Sequence, residues 1–188
     1  MKLNTAEKYE YENEEYLKYI HNYILQNIKT SKRDLVLDAA SKTGLFAKRL
    51  LKAHSFKELT LNEQDKELIS LSKERFELIE KIRHTSTHLS KLNSINNYFD
   101  LIIIIDFPQK HDETIFKELK RVLKPKGKIV ITKTNKQQKS FLNKLFKQKQ
   151  KVDFTQLTKG LQDAQLEIQK EEFLTHKDLE ICFVEAKK

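Results

Sequence analysis

The chain is 188 residues long, 38% hydrophobic and 34% charged, the size of one domain with apolar material for one core. Its three glycines, two prolines and single cysteine, Cys182, exclude collagen-like and turn-dense all-β architectures, a disulfide framework and any multi-cysteine metal cluster. The formal charge of +9 is uneven: residues 1–106 carry a net +1, residues 107–151 a net +11 and residues 152–188 a net −3. That basic segment either steers an anionic ligand or RNA or simply solvates a lysine-rich face.

The first periodic stretch runs from about Glu7 to Ile28. Its apolar positions Tyr16, Tyr19, Ile20, Tyr23, Ile24 and Ile28 recur at threes and fours, a helix stripe. Asp34–Asp38 is a short buried strand ending in an acid, and Gly44–His54 is a helix. Glu58–Asn62 is the next strand, followed by a helix over about Asp65–Ile82 and a polar strand candidate at His84–Leu89. Phe99–Asp106 holds the longest apolar run, Leu101–Ile105, which suits a strand buried on both faces. Glu113–Leu123 is a helix stopped by Pro125, Gly127 turns the chain, and Lys128–Thr132 is a strand. A basic helix at about Lys136–Gln148, a helix at Phe154–Ala164 and strands at Leu166–Phe173 and Leu179–Ala186 complete the pass. Strands and helices alternate, as in an α/β doubly wound sheet, and the last two strands form an antiparallel pair at one edge. No run reaches the ~18 apolar residues of a membrane span and no apolar signal core precedes the first helix. The expectation is one cytoplasmic domain over 1–188, with an N-terminal helical segment at 1–33 and a basic segment at 133–151.

Doubly wound sheets bind ligands beyond the carboxyl ends of their strands, so the turns after Asp38, Asn62, Leu89, Asp106 and Thr132 carry the chemistry. The first turn is Asp38-Ala39-Ala40-Ser41-Lys42-Thr43-Gly44. VLDAASKTGLFAKRL resembles motif I of class I S-adenosylmethionine-dependent methyltransferases, an acid followed by glycines two, four and six residues later. FDLIIIIDFP with ELKRVLKPKGKIVITK resembles that family's fourth strand, next helix and fifth strand, and LTKGLQDAQLEIQKEEF with LEICFVEAKK its last helix and terminal hairpin. The small ubiquinone-biosynthesis-type methyltransferases are closest in style. The resemblance implies a Rossmann-like, mainly parallel seven-stranded sheet, S-adenosyl-L-methionine as cofactor, and a methyl acceptor as second substrate.

Residue by residue, the resemblance places Asp38 at the motif's acid and Gly44 at its last glycine, with Ala39, Ala40 and Ser41 in the turn beside the cofactor. Glycines there let the backbone approach a ligand without Cβ clashes. Lys42 stands at the middle glycine, where its Cβ and cation should crowd the cofactor or require a different turn angle. Asp38 has a structural alternative, accepting loop amides at the strand end. Glu63, 25 residues after Asp38, falls where the family's acid accepts the ribose hydroxyls, with Asn62 as the neighbouring alternative. His88 falls at the adenine-contacting position, with Leu89 after it. Asp106 faces the place of methyl transfer and His111 is a candidate general base. DFPQ is similar to the Asp-Pro-Pro-Tyr box of amino-group methyltransferases but lacks its second proline and aromatic.

Other chemistries fail on inventory. There is no P-loop, no Gly-x-Ser-x-Gly elbow and no full dinucleotide fingerprint. The six histidines lack metal spacing, apart from His84 and His88, whose segment is expected to be strand rather than helix. Three readings follow: a methyltransferase acting on a small molecule or RNA, a catalytically inactive methyltransferase-like interaction module, and an RNA-binding protein using residues 133–151.

Overall fold

A computed structural model describes residues 5–108, 113–134, 154–177 and 179–188. The elements in order are α1 (Thr5–Asn27), β1 (Leu35–Asp38), α2 (Leu45–Ala53), β2 (Glu58–Asn62), α3 (Lys66–Arg75), β3 (Ile82–Thr85) and β4 (Phe99–Ile104). They continue with α4 (Thr114–Val122), β5 (Leu123–Thr134), α5 (Thr155–Asp163), β6 (Glu167–His176) and β7 (Leu179–Lys187). The strands form one seven-stranded sheet in the order β3-β2-β1-β4-β5-β7-β6. β1 to β5 run parallel, while β7 pairs antiparallel with both β5 and β6. The expected doubly wound α/β architecture and its antiparallel edge pair are both present.

The apolar run of β4 divides by alternation. Leu101 and Ile103 join Ile20, Phe46, Leu50 and Leu59 in the layer under α1 and α2. Ile102 and Ile104 join Phe116, Leu119, Leu157 and Val184 in the layer under α4 and α5. Period-two side chains on a strand covered by helices on both faces leave no solvent side. The strand order reverses between β1 and β4, whose Asp38 and Ile103 are partners. The turn after β1 therefore opens at the switch point, where such sheets hold ligands.

Three expected boundaries move. α3 ends at Arg75 rather than near Ile82, because Phe76 leaves the helix and buries its ring in the core against Gly44. β3 accordingly begins at Ile82 and ends at Thr85, three residues before His88, since the Asn62 side chain takes the Thr87 amide at 3.0 Å and ends the ladder. β5 starts at Leu123 instead of Lys128. Lys126, not Gly127, takes the left-handed conformation there, with φ 65. Gly127 is needed for space, since a Cβ would lie 2.8 Å from Leu123 Cδ1 and 2.9 Å from the Lys124 carbonyl. The basic helix expected at 136–148 lies outside the described residues. Among the described basic residues, Arg121, Lys124 and Lys128 are spent on Glu118, Asp100 and Glu185, near the amino end of β5 and away from the switch point.

Candidate functional site

The turn after β1 is tight and contains one glycine, Gly44. Lys42 has φ 52 and Gly44 φ 77, both left-handed, and the Gly44 amide closes the turn on the Ser41 carbonyl at 2.8 Å. Lysine accepts here a conformation that costs ~1–2 kcal/mol for a residue with a Cβ. Its side chain runs to Glu63, placing Nζ 3.5 Å from Oε2, while its amide donates to the same oxygen at 3.0 Å. Oε1 of Glu63 accepts the Gln64 and Asp65 amides. Glu63 is thus a buried hub of the turn.

Asn62 is the structural member of the pair 62/63. Its amide donates to the Ala39 and Thr87 carbonyls, and its oxygen accepts from Thr85 Oγ1, Thr87 N and Thr87 Oγ1. It ties together the ends of β1, β2 and β3. Ser41 is pinned to the same point, its amide donating to the Asn62 carbonyl at 3.0 Å.

Asp38 is 1% exposed and neither carboxylate oxygen completes a hydrogen bond. Of the loop-amide role open to it in the sequence, only the pull of the nearby Ala40 amide is present. Burial, with the Glu63 charge adding to it and the nearby Ala40 amide and Lys42 opposing, pushes its pKa up to about 7. It lines a narrow cleft with Ala40, Ser41, Lys42 and, from α1, Tyr9 and His21. The free interior is about 20 Å³, room for one or two waters. Tyr9 is half-buried at its wall: burial first, then the charges of Asp106, Glu63 and Asp38, drive its pKa up.

Asp106 sits just past β4 with φ 58. It accepts the Tyr16 hydroxyl at 2.5 Å and also that of Thr134, so α1, β4 and β5 meet at one carboxylate. His88 is exposed and bonded locally, its Nδ1 2.7 Å from Ser90 Oγ. Ala39 and Leu89 are buried in the core. His111 lies outside the described residues.

The structure thus brings Asp38, Ala40, Ser41 and, through Lys42, Glu63 to one place. His88 stays outside the cleft. Sequence reasoning missed the α1 contributions of Tyr9 and His21. For His21 a signal existed: Leu17, His21, Ile24 and Ile28 are spaced four, three and four, which puts a histidine on the buried stripe. Arg75 secures this arrangement, donating to the Thr43 carbonyl at 2.8 Å and pairing with Glu10 of α1 at 2.9 Å.

Residues 36–127 match the family model described as a methyltransferase domain. The match covers 92 of the 188 residues. Among solved structures, it is similar at 11% identity to the methyltransferase in complex with the Trm112 methyltransferase activator of Haloferax volcanii, with TM-score 0.79 over 97% of this chain and 94% of that one. It is similar at 14% identity to the [4+2]-cyclase SpnF, with TM-score 0.73 over 90% of this chain and 80% of that one. A third likeness, at 15% identity and TM-score 0.73, is to phosphoethanolamine N-methyltransferase 2 of Haemonchus contortus in complex with S-adenosyl-L-methionine, over 90% of this chain and 52% of that one. No curated protein sequence matches the chain. The matched stretch begins in β1 and ends at Gly127, so it includes the whole turn from Asp38 to Gly44, and Glu63 and Asp106 as well. No helix among the described residues is long and apolar enough to cross a membrane.

Proposed function

We propose that the chain binds S-adenosylmethionine at the carboxyl edge of β1 and β2 and transfers its methyl group to a small molecule or RNA. The observation that carries this reading is Asp38, a fully buried carboxylate with no hydrogen-bond partner at the switch point of the sheet. A buried acid left in that state costs stability unless a ligand supplies the donor, and the ammonium of the cofactor's amino-acid end is such a donor. The left-handed turn at Lys42 and Gly44 adds the backbone shape that admits the ligand.

In this reading Ala39, Ala40, Ser41 and Gly44 shape the cradle, and Glu63 accepts the ribose hydroxyls in place of the Lys42 ammonium. Leu89 and His88 border the adenine, and Tyr9 swings out, because the free interior otherwise holds only water. S-adenosylmethionine supplies an electrophilic methyl group, so an acceptor lone pair forms the new bond to carbon as the carbon–sulfur bond breaks. Asp106, fixed by Tyr16 and Thr134, faces the acceptor and receives or orients the proton it gives up; His111 is the second candidate for that proton. Positioning supplies most of the rate in such an in-line transfer. The lysine excess in the sequence of residues 133–151 supports an anionic acceptor. The two apolar layers share one sheet, which supports a single domain.

Calorimetric titration with S-adenosylhomocysteine tests the proposal. Micromolar binding that disappears in Asp38→Ala supports it. No heat at millimolar ligand overturns it and leaves an inactive interaction module as the reading.

A further inference from the structure

We infer that His21 is a ligand-contacting residue which, with Asp38, forms a two-pole cage for a zwitterionic amino-acid group: the ammonium on Asp38, the carboxylate on His21 Nδ1. The inference rests on the cofactor reading above and names the side chain that makes the site select the amino-acid end.

Two independent orphans carry it. His21 is 3% exposed and its Nδ1 has no hydrogen-bond partner. Asp38, at the end of β1, is in the same condition, and both line the same narrow cleft. The rest of the α1 stripe, Leu17, Ile20, Ile24 and Ile28, is apolar and buried, so packing alone would be served by another aliphatic. A buried ring nitrogen left unpaired instead costs stability. The ring is held by Phe46, which meets it edge-on at 5.1 Å and 67°.

The chemistry of the two poles is complementary. Asp38 is an acceptor. Burial, aided by the Arg49 charge, lowers the His21 pKa to about 3, so at neutral pH the ring is uncharged and its Nδ1–H tautomer donates without repelling the ammonium. The Arg49 charge that disfavours a second cation favours a carboxylate beside the ring. A neutral or purely cationic group would satisfy one pole only.

The test compares S-adenosylhomocysteine with 5′-methylthioadenosine, which keeps the nucleoside and sulfur but lacks the amino-acid group. Wild type should prefer the former by about 100-fold or more, two charge-assisted contacts at about tenfold each. His21→Leu should cut that preference about tenfold, leave 5′-methylthioadenosine affinity within about twofold, and melt at or above wild type because the orphaned nitrogen is gone. His21→Asn, whose amide replaces Nδ1, should retain most of the preference. His21→Gln, whose amide replaces Nε2, should lose it, and it decides the matter if the leucine variant does not fold. An unchanged preference in His21→Leu or His21→Gln would make His21 a packing residue and leave the cofactor reading intact. If neither nucleoside binds wild type, the cofactor reading fails and this inference with it.

Discussion

The Tyr16 hydroxyl of α1 donates to Asp106 at 2.5 Å and lies 2.6 Å from Thr134 Oγ1, so the N-terminal helix is tied to the ends of β4 and β5 beside the site. Burial and the Asp106 charge raise the Tyr16 pKa. The phenol therefore stays protonated and remains a donor throughout the neutral range.

Tyr16→Phe removes this tie while keeping the ring. A hydrogen bond to a charged group contributes about 1.5–3 kcal/mol, and the strained φ of Asp106 loses one of its restraints. The expected result is a stability loss of about that size in urea unfolding. Because the Tyr16 hydroxyl bonds to Asp106 and Thr134 rather than to Asp38, affinity for S-adenosylhomocysteine should fall less than threefold. A larger fall would place Tyr16 in the cofactor site.

Lys42→Gly exchanges two effects of similar size. Glycine relieves the left-handed strain, about 1 kcal/mol, while the half-exposed ion pair with Glu63, about 0–1 kcal/mol, is lost. Net stability should stay within about 0.5 kcal/mol of wild type. Binding should not stay level: Glu63 loses its competing cation, and S-adenosylhomocysteine affinity should rise about three- to tenfold. An unchanged affinity in titration would mean that Lys42 makes its own contact with the ligand.

Asp38 sets a pH dependence with a definite sign. Its folded pKa of about 7 lies above the ordinary 3.8, so between roughly pH 4 and pH 7 the folded state keeps a proton that the unfolded state has lost. Stability contributed by this group is present below pH 4 and falls as pH rises through 7, by roughly 4 kcal/mol in all. Asp38→Asn should abolish that slope and be the more stable protein at pH 8, as denaturant titrations at pH 5 and pH 8 would show. Ligand affinity in wild type should move oppositely, strengthening as pH approaches 7 and the carboxylate ionises to receive an ammonium. Affinity that is flat between pH 5.5 and 7.5 would separate Asp38 from the bound ligand.

Local pattern determined much of this protein. The alternation of helical and strand periods, the two-faced apolar run at Leu101–Ile105 and the acid ending β1 follow from side-chain spacing, because a strand or helix must bury its own face whatever surrounds it. The limits of α3 and β3 did not follow, since Phe76 leaves its helix for a core contact and Asn62 ends the next ladder from 25 residues away. The turn angle at Lys42 was also beyond local reasoning: intrinsic preference argues against a left-handed lysine, and the bonds to Glu63 from its amide and ammonium outweigh it. The juxtaposition of Asp38 with His21 was decided only in three dimensions. Each is an ordinary residue in its own element, and only the packing of α1 over the end of β1 leaves both without partners in one cleft.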